Sequence, residues 1–171
     1  YNDLKNKNND IPVTVTVHPS SYLSLTDLDI FPLSSSSYTK TILCNENGYY
    51  NIYESDRYGF NNPDYEWDKN QTEYVLIGDS FVHGSCVNRP NDIASILRSL
   101  SQKSVLNLGY EGSGPLIEYA TLKEYLKPNM KNIIWFYSEI NDVEDFKNEL
   151  NNKILINYLQ SQNFTQDLKN K

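Results

Sequence analysis

The chain of 171 residues is long enough for one domain with a substantial core, because a domain of about 150 residues buries about 70% of the surface of its unfolded chain. Its formal net charge is −7, with acidic and basic residues scattered along the sequence, whereas proteins that hold nucleic acid through phosphates cluster Lys and Arg. No stretch approaches the roughly 18 apolar residues of a membrane span. We therefore expect no nucleic-acid partner and no membrane span.

The first part of the chain, residues 1–72, predicts an extension of loops and short strands. Residues 1–10 are polar and charged, which is typical of a frayed or linking segment. The Asn47-Gly48 dipeptide favours a tight hairpin turn, because such turns need residues that tolerate positive φ. Alternating or β-prone apolar residues predict short strands at residues 13–17, 41–44 and 49–53.

From residue 73 onward, strand and helix patterns alternate, which predicts a parallel sheet covered by helices in a second unit, residues 73–171. The predicted strands are residues 74–77, 105–108 and 132–137, and the predicted helices are residues 92–100, 116–126 and 154–168. Ligands of open α/β sheets bind beyond the carboxyl ends of the strands. The residues that follow each strand are therefore the candidate site.

The first of these strands ends in Gly78-Asp79-Ser80, which places a serine on a turn from strand to helix. A serine there presents its hydroxyl at the sheet edge, with its backbone N–H at a helix N-terminus that favours developing negative charge, as a nucleophile requires. The alternative is helix capping, for which Asp and Ser are both preferred. Val82 occupies the place of the second glycine of a Gly-x-Ser-x-Gly elbow, and Ser85 occupies that of a P-loop lysine, so neither motif is present.

The second strand is followed by glycines at 109, 112 and 114 and by Pro115. Glycines let the backbone approach a ligand closely and direct an N–H group at it. Their spacing, Gly-x-x-Gly-x-Gly, reverses the dinucleotide-binding fingerprint, so we expect no nucleotide cofactor. The backbone N–H of Gly109 is the candidate donor of this segment.

The third strand is followed by Asn141 and Asp142, which brings a side-chain amide to the same sheet edge. An amide donor directed at a tetrahedral intermediate is a standard part of an oxyanion hole and contributes about 3 to 4 kcal/mol to lowering a barrier. The alternative for Asn141 is to cap a helix that begins at Asp142.

These three segments, in this order, resemble the first three signature blocks of the SGNH hydrolases, also called GDSL esterases and lipases, over residues 74–146. The resemblance implies a three-layer α/β/α, flavodoxin-like parallel sheet. It also implies that Ser80 is the nucleophile and an oxyanion donor, that Gly109 and Asn141 complete the oxyanion hole, and that Asp79 and Asp142 support them. Residues 55–63 are similar to a segment that precedes the serine strand in some bacterial envelope members.

The chain departs from this family in two respects. Glu139 stands where the third block has glycine, and the Asp-x-x-His that supplies the orienting acid and the general base is absent. The only histidines are His18 and His83. His83 is the less favoured candidate for the base, with a structural or substrate-contact role as the alternative, because its Cβ, one helical turn from Ser80, would lie about 5 to 6 Å away, whereas a base must reach within about 3 Å of the hydroxyl. We therefore interpret the α/β unit as incomplete at its C-terminus, with the base outside it.

The function expected from these features is hydrolysis or transfer of an acyl group by a Ser80 acyl-enzyme, on an ester such as an acylated cell-envelope carbohydrate, with no metal or cofactor. The alternative is a non-catalytic glycan-binding module with a degenerate SGNH fold. Cys44 and Cys86 are either two buried thiols or one disulfide, and a disulfide would indicate an oxidising compartment. We accordingly expect an extracytoplasmic protein, periplasmic or anchored through a removed N-terminal segment.

Overall fold

The computed structural model describes residues 13–46 and 48–171, so the expectations for residues 1–10 and for Asn47 lie outside the described residues. These residues form six strands: β1 Val13–Val15, β2 Lys40–Cys44, β3 Asn51–Glu54, β4 Thr72–Ile77, β5 Val105–Asn107 and β6 Met130–Trp135. They form five α-helices: α1 Ser80–His83, α2 Ile93–Ser101, α3 Pro115–Tyr125, α4 Asp142–Glu149 and α5 Lys153–Gln160. Short 3-10 helices lie at Pro19–Tyr22, Asp64–Asp68 and Leu168–Asn170.

The extension contains a three-stranded mixed sheet in the order β1-β2-β3. β1 pairs parallel with β2, and β2 pairs antiparallel with β3, with an irregular register between Ile42 and Cys44. The three short strands expected in the extension are therefore present. Cys44 at the end of β2 is joined by a disulfide to Cys86, just beyond α1, with Cα atoms 5.4 Å apart.

The second sheet is fully parallel, with strand order β5-β4-β6. Its central strand β4 is buried on both faces, as parallel sheets require, and Val75, Leu76 and Ile77 are all inaccessible to solvent. Leu76 packs with Val82 of α1, whereas the opposite face contributes to the largest aromatic cluster, Phe60, Trp67, Tyr110 and Tyr125. The expected α/β architecture with a parallel sheet is therefore confirmed.

Strand β6 lies at one edge of this sheet and leaves apolar side chains open to solvent. The exposed fraction is 45% for Ile133, 42% for Trp135 and 57% for Tyr137. Beyond the strand, the Phe136 N–H donates a 2.8 Å hydrogen bond to the Ile77 carbonyl. The chain of β6 therefore stays beside β4 up to the point where both strands end.

The last predicted helix, residues 154–168, is wrong in its C-terminal half, because α5 ends at Gln160. The cause is a buried acid on α3. Glu124 accepts hydrogen bonds from the backbone N–H groups of Gln166 and Leu168 and from the hydroxyl of Thr165. These groups can reach one carboxylate only if the chain leaves the helix and turns back.

Candidate active site

Ser80 is the first residue of α1, directly after the tight turn that follows β4. Asp79 caps the helix, because its Oδ1 accepts a 3.0 Å hydrogen bond from the Phe81 N–H, and Gly84 ends the helix with φ 83°. Asp79, and not Ser80, therefore caps this helix. The Ser80 side chain is partly exposed, and within the described residues no group hydrogen-bonds to its hydroxyl.

Two glycines let α1 lie directly against the strand ends. A Cβ added at Gly109 would come within 2.5 Å of Val82 Cβ, and one added at Gly78 within 2.5 Å of Val82 Cγ2. Such contacts are far shorter than van der Waals separation. The glycines that follow β4 and β5 therefore hold the serine turn between the two strands.

The Gly109 N–H, the expected second oxyanion donor, is engaged within the protein. It donates to Oδ1 of Asn107 at 2.9 Å, while Nδ2 of Asn107 donates to the Val82 carbonyl at 2.7 Å. Asn107 thereby links the end of β5 to α1. This structure places Gly109 beside the serine helix with its N–H bound to an amide oxygen.

Asn141 follows β6 and immediately precedes α4, but its side chain does not cap that helix. Its Nδ2 donates to Asp145 Oδ2 at 2.9 Å, and its Oδ1 accepts from the Ser138 hydroxyl at 2.6 Å. Asp142 Oδ2 accepts from the Ser138 N–H at 2.5 Å. Asp142 and Asn141 thus hold the turn that contains Glu139.

A buried acid that the sequence analysis missed lies close to these residues. Glu118 on α3 is 2% exposed, and its Oε2 accepts a 2.5 Å hydrogen bond from the indole N–H of Trp135. Burial, reinforced by the negative charges of Asp142 and Asp79, raises the pKa of Glu118 to about 8. Glu118 is therefore mainly a neutral carboxylic acid at pH 7. Its sequence signal is a glutamate beside Leu116 and Ile117 in the first turn of α3.

His83 is fully buried, and both its ring nitrogens and one face of its ring contact other residues. Its Nδ1 accepts from the Glu111 N–H at 3.0 Å, its Nε2 lies 3.0 Å from the Tyr53 hydroxyl, and its ring stacks on Tyr110 with centroids 4.4 Å apart. Burial lowers the pKa of His83 to about 3. Both ring nitrogens are occupied, so His83 is a neutral structural residue and cannot serve as the base for Ser80.

The other histidine, His18, lies beside Glu111 and Gly112. His18 Nε2 is 3.7 Å from Glu111 Oε1, and a Cβ added at Gly112 would lie 2.5 Å from His18 Cβ. The described residues therefore do not place a histidine on the Ser80 hydroxyl.

The segment 55–63 connects the extension to the end of β5 through buried polar groups. Asp56 is fully buried and accepts four hydrogen bonds, from the Tyr58 and Phe60 N–H groups, Asn62 Nδ2 and Trp67 Nε1. Burial raises the pKa of Asp56, and these four donors oppose that shift. Asn62 in turn bonds both the N–H and the carbonyl of Asn107 at 2.8 Å. This segment therefore positions the residue that binds the Gly109 N–H.

Comparisons of the chain with protein-family models, with curated proteins and with solved structures found no match. Across residues 13–46 and 48–171, no group of three or more His, Cys, Asp or Glu side chains is arranged to hold a metal ion. No helix in the same part of the chain is both long and apolar enough to cross a bilayer.

Proposed function

We propose that this chain is the nucleophile-bearing part of an SGNH-type ester hydrolase or acyltransferase, with Ser80 as the nucleophile. The observation that carries the proposal is the strand order β5-β4-β6, because it sets the segments of Gly109, Ser80 and Asn141 side by side at one edge of the sheet. The Ser80 hydroxyl is partly exposed and has no hydrogen-bond partner within the described residues, so it is open to a substrate and to a general base.

The proposal includes a three-layer α/β/α, flavodoxin-like fold for the parallel sheet and its helices. Numbered within the parallel sheet alone, its strands lie in the order 2-1-3, which is the order of the first three strands in a flavodoxin-like sheet. Leu76 and Ile77 pack with different clusters on opposite faces of β4, which supports a three-layer α/β/α arrangement.

In the proposed reaction, Ser80 Oγ attacks the carbonyl carbon of the ester and forms a new C–O bond, while its proton passes to a general base. The carbonyl oxygen becomes an oxyanion, which then collapses as the C–O bond to the leaving oxygen breaks, the protonated base gives its proton to that oxygen, and the alcohol departs, leaving an acyl group on Ser80. Water or a second alcohol accepts this acyl group. The proposed base comes from outside the described residues, because His83 has no free nitrogen and His18 lies beside Glu111.

One oxyanion donor must change partners for this reaction. The Gly109 N–H must leave Asn107 Oδ1, whereas Asn141 Nδ2 has a second N–H beside the one that it donates to Asp145. The bond between Gly109 and Asn107 is a neutral hydrogen bond, whose net contribution is about 1 kcal/mol, less than the 3 to 4 kcal/mol that an oxyanion donor contributes in the transition state. Stabilisation of the oxyanion therefore exceeds the cost of the exchange.

The substrate in this proposal is an ester such as an acylated cell-envelope carbohydrate, and the compartment is extracytoplasmic. The Cys44–Cys86 disulfide supports that compartment, because disulfides persist where the environment is oxidising.

The test is labelling of the natural protein with a serine-directed phosphonate, with Ser80→Ala beside it and Ser85→Ala as the matched control. We expect labelling of the natural protein and of Ser85→Ala, and none of Ser80→Ala. Labelling that persists in Ser80→Ala would remove Ser80 from the mechanism. Absence of labelling in all three would favour the non-catalytic glycan-binding alternative.

A further inference from the structure

A second concave site lies on the extension side of the molecule. A cleft of about 840 Å³ opens between β3, the 3-10 helix Asp64–Asp68 and the loop that follows α1. Ligand sites of proteins have volumes of this order and combine apolar surface with a few directed polar groups. Its lining includes two exposed tyrosines, Tyr38 and Tyr65, together with Glu54, Asn88 and Arg89.

The polar groups of the cleft include donors that the protein leaves open. Asn88 Oδ1 accepts from Asn51 Nδ2 at 2.8 Å and from the Ile52 N–H at 3.2 Å, so its amide nitrogen is turned away from β3. Arg89 donates one hydrogen bond, from Nη2 to the Glu54 carbonyl at 2.8 Å. Since a guanidinium has five N–H groups, most of its donors stay available to a ligand.

The charged groups at the cleft leave no excess of positive charge. The charge of Arg89 is opposed by the nearby carboxylates of Asp92 and Glu54, and the carboxylate of Asp64 is paired with Arg57 at 2.7 Å. Such a cleft does not favour an anionic ligand. Its separate donors and acceptors suit hydroxyl groups, each of which can donate and accept.

The two tyrosines present ring surface to solvent, because the exposed fraction is 59% for Tyr38 and 58% for Tyr65. Lys69 Nζ lies over one face of the Tyr65 ring, 5.0 Å from its centroid. Tyr38 has φ 51°, a backbone conformation that is unfavourable for a tyrosine, and its hydroxyl lies near the Asp64 carboxylate. Residues held in such conformations concentrate at ligand-binding sites.

We propose that this cleft binds a neutral oligosaccharide. The pyranose rings lie with their C–H faces on Tyr38 and Tyr65, and the sugar hydroxyls bond to Arg89, Asn88 and Glu54. Aromatic rings with a polar end at a wet surface are suited to such mixed contacts. The site holds a glycan chain and does not depend on chemistry at Ser80.

The experiment is calorimetric titration of the protein with cellohexaose, chitohexaose and mannohexaose, and with hexagalacturonate as the anionic comparator. We expect at least one neutral oligosaccharide to bind, with an affinity that falls about tenfold in Tyr65→Ala, because loss of an aromatic contact costs roughly 1 to 1.5 kcal/mol. Tyr65→Ala should fold normally, since the side chain is largely exposed. Arg89→Gln should weaken the same binding.

The matched control is Tyr49→Ala, which removes a tyrosine that is 53% exposed and lies outside the cleft lining. It should bind as the unsubstituted protein does, and so should Ser80→Ala, which separates this proposal from the esterase proposal. The proposal is overturned if none of the neutral oligosaccharides binds, if hexagalacturonate binds more tightly than all of them, or if Tyr49→Ala loses as much affinity as Tyr65→Ala.

Discussion

Replacement of Glu118 by glutamine should change how the stability of the protein depends on pH. The pKa of Glu118 is raised from 4.5 to about 8, so between these pH values the folded protein holds a proton that the unfolded chain releases. Stability from this group is therefore complete below about pH 4.5 and is lost as pH rises through 8. Glutamine keeps a neutral group of similar shape at every pH.

The size of the effect follows from the shift. Each pKa unit corresponds to about 1.4 kcal/mol, so the loss between pH 5 and pH 8 is on the order of 3 to 4 kcal/mol. The assay is urea unfolding of both proteins at pH 5, 6, 7 and 8. The unfolding free energy of Glu118→Gln, relative to that of the unsubstituted protein, should rise steadily over this range.

The control is Glu144→Gln, because Glu144 is 69% exposed in its side chain and pairs only with Lys147. It should leave the pH dependence unchanged. Parallel stability curves for the unsubstituted protein and Glu118→Gln would instead show that Glu118 ionises in the folded state as it does in water.

Three further predictions concern the framework of the site. Replacing Cys44 and Cys86 by alanine should lower the unfolding free energy by up to about 4 kcal/mol, because their disulfide closes a loop with a sequence separation of 42. An unchanged urea midpoint would show that the disulfide contributes nothing to stability. Gly109→Ala should lower the thermal midpoint by several degrees, because its Cβ would meet Val82 at 2.5 Å, and an unaltered midpoint would mean that α1 does not pack as described. The pKa of His83 is lowered to about 3, so its imidazole proton shifts should be constant from pH 5 to pH 8 in NMR spectra, and a transition near pH 6.5 would contradict its burial.

The strands of the parallel sheet could be predicted because their signals are local. Short apolar runs that end at Gly78 and Gly109 indicate β4 and β5, and their burial follows from the covering of parallel sheets on both faces. The early end of α5 could not be predicted in this way. It depends on Glu124, which lies 42 residues from the Gln166 N–H that it binds.

The position of Ser80 could likewise be predicted, since a glycine, an acid and a serine after a buried strand indicate a turn into a helix. The orientation of the other two expected donors could not. Each depends on competition between side chains, Asn107 for the Gly109 N–H and Asp145 for the Asn141 amide, and sequence spacing does not decide such competition.

The polar framework behind the site is also a long-range feature. Asn62 lies 45 residues from Asn107, and the Tyr53 hydroxyl lies 30 residues from the His83 ring that it contacts. One pair joins the extension to β5 and the other joins it to α1, so no short stretch of sequence contains either pair. Within the sequence of the extension itself, the only sign of this polar framework is an acid or amide residue that becomes buried.

The proposed function requires that Ser80 carry an acyl group during ester turnover. The natural protein should be mixed with p-nitrophenyl acetate, quenched in acid within seconds, digested, and analysed by mass spectrometry for the site of acetylation. We expect one acetyl group on Ser80 at the early time points, and neither the adduct nor turnover in Ser80→Ala. Turnover by Ser80→Ala at the unsubstituted rate, or an early adduct on any other side chain, would rule out Ser80 as the nucleophile.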